Sequence, residues 1–237
     1  MKGRDTFFSE LPVLARPTVI VLVGPNGSGK SSITRLLGLT NARVGDRRYH
    51  GRTVVDEGAG EIVLPLVNAD EIAKQIRTRR PNLSWDDCNL EAAKEAARMR
   101  EALSAAMLDF GFETVGSHIS KVNDLARYKA AGYCIVIVFV TTESADINVR
   151  RVEQRHRNGG HDVPEEKVRS RYDRTMTYFS KYLEVADLMV VYDNSEDHSI
   201  DDGQGPKLLL VKKAGIVSVT KQGQASSWLG EVLAGDL

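Results

Sequence analysis

The stretch Thr18–Ser32, TVIVLVGPNGSGKSS, constrains this 237-residue chain more than any other. It opens on an unbroken apolar run, Val19 to Val23, the pattern of a strand covered on both faces by helices, as in a parallel sheet. Gly24-Pro25-Asn26-Gly27-Ser28-Gly29-Lys30-Ser31 then fits G-x-x-x-x-G-K-[ST] at every fixed position, and Ile33, Leu36 and Leu37 follow at helical spacing. Strand, glycine loop and helix in that order predict a phosphate-binding P-loop. Glycines let the backbone turn tightly, so that successive N–H groups converge on phosphate oxygens. The helix N-terminus adds the positive end of its dipole. Lys30 is placed to reach the β- and γ-phosphates, and the Ser31 hydroxyl to hold Mg²⁺. The expected ATP site is Gly24, Pro25, Asn26, Gly27, Ser28, Gly29, Lys30, Ser31 and Ser32, which leaves open where the γ-phosphate goes.

Composition narrows the setting. The 32 basic and 32 acidic residues cancel, which argues against a surface coated for nucleic acid or membrane and leaves only local patches. Two cysteines, Cys134 in an apolar run and Cys88 before a helix, make a disulfide framework improbable and fit a reducing cytoplasm. No apolar run approaches the roughly 18 residues of a membrane span, and MKGRDTFFSELP lacks the apolar segment of a signal peptide.

Three further places along the chain carry chemistry. Ile62–Val67 reads as a second strand, kept at the sheet edge by Pro65, which cannot donate to a ladder. It runs into Asn68-Ala69-Asp70 and a helix to about Arg79. Asp70 therefore stands at the carboxyl end of a strand, where open α/β sheets bind ligands; the bland alternative is that it caps the helix. A long Ala-rich helix over Asp86–Asp109, with Met99, Leu103, Ala106 and Phe110 as its buried stripe, precedes a third strand, Phe112–Val115. Glu113 lies inside that strand and Ser117 and His118 lie just past it. A carboxylate there is expensive to bury without a partner, unless it merely faces water at the sheet end.

After a helix over Lys121–Ala131 and the apolar strand Tyr133–Val140, two charge-rich helices follow, 146–157 and 164–182. Between residues 147 and 174 there are eight basic and five acidic side chains. Arg151 and Arg155 share one face. Lys167, Arg171 and Arg174 form a stripe beside an apolar face of Val168, Tyr172, Met176, Phe179 and Leu183. Such a pair is either a solvated surface or the basic lid that phosphoryl transfer requires. The remaining elements are a short helix in 4–15, a Gly- and Arg-rich loop at 41–60 whose arginines could touch phosphate and which holds a small hairpin near Thr53–Val55, a P-loop helix ending near Leu39, a fifth strand Leu188–Tyr192 running into Asp193-Asn194-Ser195, a polar loop at 196–206, a hairpin of 208–211 with 216–220, and a last helix near Trp228–Leu233.

GPNGSGKSS, NADEIA after a strand, FETVGSH, RVEQRHRNGGHDVPEEKVRSRY and DLMVVYDNS, in that order, resemble the zeta-toxin family, and most of all its compact branch often labelled predicted ATPases. The likeness covers about residues 17–195. Zeta toxins are P-loop kinases that phosphorylate a sugar hydroxyl of UDP-N-acetylglucosamine. The resemblance implies Asp70 as the catalytic carboxylate, Glu113 as a substrate contact, and Arg151, Arg155 and Arg171 as lid groups on the transferring phosphate. It also implies an antitoxin as a protein partner. The larger toxins carry an arginine just before the lid proline where this chain has His161, and the branch reads E-T-T where this chain has Glu113-Thr114-Val115. Both departures bear on the acceptor more than on the kinase chemistry. An ABC-type ATPase fits poorly, because no Leu-Ser-Gly-Gly-Gln signature is present.

The expected fold is a three-layer α/β P-loop fold with about five parallel strands in the order 2-3-1-4-5 and a small C-terminal hairpin appendage. Residues 1–195 would form the kinase-like domain, with its lid at about 146–174, and 196–237 the appendage, packed on the same domain. Lys30, Asp70, Arg151, Arg155 and Arg171 are the expected catalytic groups, and Asp70, Glu113, Ser117 and His118 the expected contacts to a small-molecule hydroxyl acceptor. Two other classes compete: an ATPase or nucleotide-driven switch that delivers phosphate to water, and a nucleic-acid-directed kinase. Neutral net charge and 6% aromatic residues weigh against the last.

Overall fold

The computed structural model describes residues 16–42, 49–56, 59–158, 163–196 and 205–234; the helix expected within 4–15 lies outside them. Strand β1 (Thr18–Val23) is buried along its whole length. Val19, Val21 and Val23 face one core with Phe110, Phe112, Ile135, Ile137 and Phe139, while Ile20 and Leu22 face another with Ile33, Leu37, Val136 and Val138. A strand alternates faces with period two, so a continuous apolar run requires cover on both sides. That cover produces three layers.

After the P-loop the chain forms helix α1 (Lys30–Leu36), strands β2 (Leu39–Asn41), β3 (Val54–Asp56), β4 (Glu61–Leu64) and β5 (Leu66–Val67), then helices α2 (Ala69–Arg79) and α3 (Trp85–Ala105). Strand β6 (Phe110–Thr114), helix α4 (Ile119–Ala130) and strand β7 (Cys134–Thr141) follow. Helices α5 (Ala145–Arg157), α6 (Glu165–Thr177) and α7 (Phe179–Val185) lead to β8 (Leu188–Asp193). Strands β9 (Lys207–Lys213) and β10 (Ile216–Val219) and helices α8 (Lys221–Gln224) and α9 (Ser227–Ala234) come last. The central sheet runs β10-β9-β8-β7-β1-β6-β5.

The parallel part of this sheet, β5-β6-β1-β7-β8, keeps the expected order with β5 as its second strand. The sheet has seven strands rather than five, however. The C-terminal hairpin packs on the same domain and extends its sheet: β9 pairs antiparallel with β8, Leu209 and Leu210 enter the core, and Trp228 of α9 meets Phe179 edge-on. The strand expected over Ile62–Val67 is also two strands. Pro65 has no N–H to continue a ladder, so β4 joins β2 and β3 in a small three-stranded sheet while β5 forms the edge of the central one.

Three helices differ from expectation. Helix α1 stops at Leu36, and Leu39 already belongs to β2. The buried stripe of α3 is Cys88, Ala92 and Ala96: the first two pack against Ala73 of α2 and the third reaches the main core, while Met99 is 40% exposed and Phe110 belongs to β6. The helix after Pro164 breaks at Tyr178, and the break turns fully buried Phe179 and Tyr182 into the main core. Val149 and Val152 of α5 pack on Val163 and Val168, giving the basic hairpin a small core of its own.

Buried Asp109 ties the small sheet to the large one. Its carboxylate accepts the N–H groups of Thr18 (2.8 Å) and Thr53 (2.7 Å) and pairs with Arg52 at 3.2 Å. Arg52 of the 41–60 segment is thereby committed to Asp109, while Arg43, Arg47 and Arg48 lie outside the described residues.

Candidate active site

The P-loop joins β1 to α1 and is held from three sides. A methyl group placed on Gly24 would lie 2.1 Å from the Val140 carbonyl oxygen, so only glycine lets the loop pass this close to β7. Gly29 is the N-cap of α1 at φ 88°, in the left-handed region, and the Asn194 amide fills the space where its side chain would go. Asn194 Nδ2 donates to the Ser28 carbonyl (2.9 Å), pinning the loop from the end of β8. With no side-chain cap on α1, the first N–H groups of the helix stay available to an anion. The buried Ser28 Oγ has no hydrogen-bond partner, as in a cradle built for one. These features fit a triphosphate. Ser31, exposed in the first turn of α1, fits magnesium, which takes one protein oxygen and completes its shell with phosphate and water. Asn26, Pro25 and Ser32 lie in the same loop and helix turn.

Lys30 Nζ donates to the Gly24 (2.7 Å) and Pro25 (3.1 Å) carbonyls. Burial pulls its amine down to about 8; Arg155 and Arg171 act in the same direction, and Glu113 and Asp70 oppose them. Glu113, opposite Leu22 in the β1–β6 register, receives the Thr34 hydroxyl at 3.2 Å. Burial pushes its carboxyl up, with Asp70 and Glu71 adding to the shift and Lys30 and Thr34 resisting it. Asp70 is exposed in the first turn of α2 and is not the cap, because Asn68 Oδ1 accepts the Asp70 N–H (2.9 Å) and the Glu71 N–H (3.4 Å). Its carboxylate acts electrostatically on Lys30, Glu113 and Arg171. Lys30, Asp70 and Glu113 thus lie within electrostatic reach of one another.

The arginines divide. Arg171 Nη1 donates to Asn26 Oδ1 of the P-loop (3.0 Å), and burial, then Arg174, lowers its pKa. Arg155 is exposed, yet close enough to act on Lys30. Arg151 instead donates to the carbonyls of Asn194 (2.6 Å), Ser195 (3.3 Å) and Glu196 (3.1 Å), bracing the loop after β8. Helix α6 is bolted to three strand ends: Arg171 to the P-loop, Tyr172 Oη to the Thr142 carbonyl (2.7 Å), and Thr175 Oγ1 to the Val115 carbonyl (2.9 Å). Of the other two expected acceptor contacts, Ser117 is half-buried in the loop after β6. His118 is the N-cap of α4, its Nδ1 accepting the Ser120 N–H.

A cavity of about 760 Å³ opens beside Glu113 between α2 and α3. Leu22, Leu66, Ile72, Ile76 and Phe112 give it an apolar floor, and its polar walls carry both signs, Arg79, Lys94 and Arg98 with Glu71, Glu91 and Glu95. Sequence reasoning missed Thr34 and Asn194. Thr34 follows Lys30 by one helical turn, and Asn194 follows a parallel strand directly, which are the signals that point to them.

A family model for zeta toxins matches residues 5–203. An uncharacterized protein of Haemophilus influenzae is 24% identical over 153 residues, covering 65% of this chain and 91% of that protein. Among solved structures, the AvrRxo1-ORF1:AvrRxo1-ORF2 complex with sulphate ions aligns at a TM-score of 0.65 and 15% identity, over 96% of this chain and 70% of the other. The same complex with ATP aligns at 0.65 and 14%, over 96% and 66%. At such identity these structures establish the fold alone. With the motif order and the match over most of its length, the chain belongs to the zeta toxin family, the P-loop kinase family its motifs resemble.

Proposed function

We propose that this protein is an ATP-dependent phosphotransferase that moves the γ-phosphate of ATP to a hydroxyl of a small molecule, with UDP-N-acetylglucosamine or another nucleotide sugar as the first candidate. The observation that carries the reading is that Glu113 lines the α2–α3 cavity while Lys30 and Asp70 stand near enough to act on its charge. A water-directed ATPase has no use for a cavity of this size beside its carboxylates. The apolar floor suits a ring face, and walls of both signs, Arg79, Lys94 and Arg98 beside Glu71, Glu91 and Glu95, suit a polar acceptor rich in hydrogen-bonding groups.

Ser31 would hold the magnesium ion that accompanies ATP, and the ion would neutralise charge on the β- and γ-oxygens. Lys30 leaves the Gly24 and Pro25 carbonyls for the phosphates. Arg171 and Arg155 stand on the lid side and offset charge on the equatorial oxygens. Arg151 serves the same lid by holding the loop after β8. Asp70 orients the acceptor hydroxyl and receives its proton, while Glu113 accepts a hydrogen bond from the acceptor, with Ser117 and His118 at the rim. Residues 1–195 act as the catalytic unit, with the lid at about 146–174; the segment 196–237 completes the sheet that supports it. Among the described residues no helix is long and apolar enough to cross a membrane, and the reading places the protein in the cytoplasm, where ATP is plentiful. Family membership makes an antitoxin the partner to seek.

The test is incubation with ATP, magnesium and a metabolite panel headed by UDP-N-acetylglucosamine, read by mass spectrometry. Gain of one phosphate on an acceptor supports the proposal. ATP loss that no acceptor changes moves the assignment to an ATPase.

A further inference from the structure

We propose that Thr34 is a positioning residue for Glu113: its hydroxyl fixes the carboxyl group against the P-loop helix in the orientation that meets the acceptor. The proposal rests on Glu113 being the acceptor contact described above. Thr34 Oγ1 lies 3.0 Å from the Lys30 carbonyl oxygen and 3.2 Å from Glu113 Oε1. A hydroxyl has one proton to give and two lone pairs to receive, so the two contacts compete for that proton. When Glu113 is ionised, Thr34 donates to it. When Glu113 is protonated, the carboxyl O–H donates to Thr34 Oγ1 and Thr34 donates to the Lys30 carbonyl. One side chain therefore satisfies Glu113 in both states without backbone movement.

Glu113 needs such a partner. The charged groups acting on it most are Lys30 from α1 and Asp70 and Glu71 from α2, and Arg79 of α2 with Glu91, Lys94, Glu95 and Arg98 of α3 line the cavity it shares. Burial and the two acids favour its neutral form, and Lys30 and Thr34 favour the carboxylate. Lys30 already donates to Gly24 and Pro25 and turns to phosphate when ATP binds. Thr34 is the neighbour whose bond to Glu113 survives nucleotide binding. It also lies on the same helix that positions Lys30, so the two ends of the transfer are referenced to one rigid element.

A threonine inside a helix often bonds the carbonyl four residues back, with no carboxylate involved, and that contact alone would make Thr34 structural. Thr34→Val removes the hydroxyl at nearly constant volume, and Thr34→Ser keeps it. With UDP-N-acetylglucosamine as acceptor, Thr34→Val should raise the acceptor KM about 10- to 100-fold, the range for a hydrogen bond to a charged group. The kcat and the ATP Kd should stay within about threefold, the pattern of lost uniform binding. The acid limb of kcat/KM should move to higher pH, because losing a donor to the carboxylate raises its pKa. Thr34→Ser should restore all of these. Carbon NMR titration of the Glu113 carboxyl in nucleotide-free protein reads the same upward shift without turnover, so it decides the Thr34–Glu113 link even if no acceptor is phosphorylated. An unmoved Glu113 titration in Thr34→Val, an ATP Kd that rises as much as the acceptor KM, or failure of Thr34→Ser to restore function would each overturn the proposal.

Discussion

ATP binding should draw a proton onto Lys30. In the nucleotide-free protein its amine titrates near 8, because burial outweighs the help of Glu113 and Asp70. Bound phosphates add several negative charges at contact distance and return the amine to its ordinary range above 10. Above pH 8 the free protein must therefore take up a proton in order to bind. At pH 8.5 a group with a pKa of about 8 is about three-quarters deprotonated, so binding should absorb about 0.75 proton per ATP, against about 0.1 at pH 7. By the same linkage the ATP Kd should rise about 30-fold between pH 7 and pH 9.5. Isothermal titration calorimetry in buffers of different ionisation enthalpy counts the protons directly. At pH 8.5 the phosphates of ATP are fully ionised and do not contribute. Lys30→Met should bind more weakly and absorb almost none. Uptake near zero at pH 8.5 in the native protein, or equal uptake in Lys30→Met, would refute the placement of a buried, partly neutral amine in the loop.

Other substitutions separate the roles. Asp70→Asn should lower turnover by about 10²- to 10⁴-fold while leaving the thermal midpoint and ATP affinity nearly unchanged, since Asn68 already caps α2; a parallel loss of stability would show Asp70 to be structural. Arg171→Ala, removing the cation that touches Asn26, should cut kcat by up to about 10³-fold with a much smaller change in ATP affinity; unchanged turnover would leave Arg171 a structural tie to the P-loop only. Asp109→Ala strands the Thr18 and Thr53 N–H groups and should destabilise the fold by about 2–5 kcal/mol in urea titration; a loss below about 1 kcal/mol would contradict its role as the tie between sheets.

Local pattern made much of the fold and part of the site legible. The unbroken β1 run demands two covered faces, the P-loop spacing fixes Lys30, and Pro65 keeps the second parallel strand at an edge. Asp70 and Glu113 could be placed near the loop because strand ends in a parallel sheet open toward it. What stayed hidden depends on partners far along the chain. The hairpin at the C-terminus reads as a local pair, and only the exposed edge of β8 turns it into strands six and seven. Pro65 marks an edge, but it also divides a strand between two sheets. The apolar face over Val168–Leu183 is continuous in sequence, while burial of Phe179 and Tyr182 breaks the helix at Tyr178. Arg151 and Arg155 share a helix face, yet carbonyls of the β8 loop claim the first. Asp109 looks like the end of a helix until Thr18 and Thr53, 91 and 56 residues away, donate to it.

The most direct test of the phosphotransferase reading is to measure ADP and inorganic phosphate together, with and without acceptor. Native protein with ATP, magnesium and a hydroxyl acceptor from the panel should release ADP far faster than without acceptor, and without matching inorganic phosphate, because the phosphate leaves on the acceptor. Release of ADP and inorganic phosphate in equal amounts, at a rate no acceptor alters, would contradict the account.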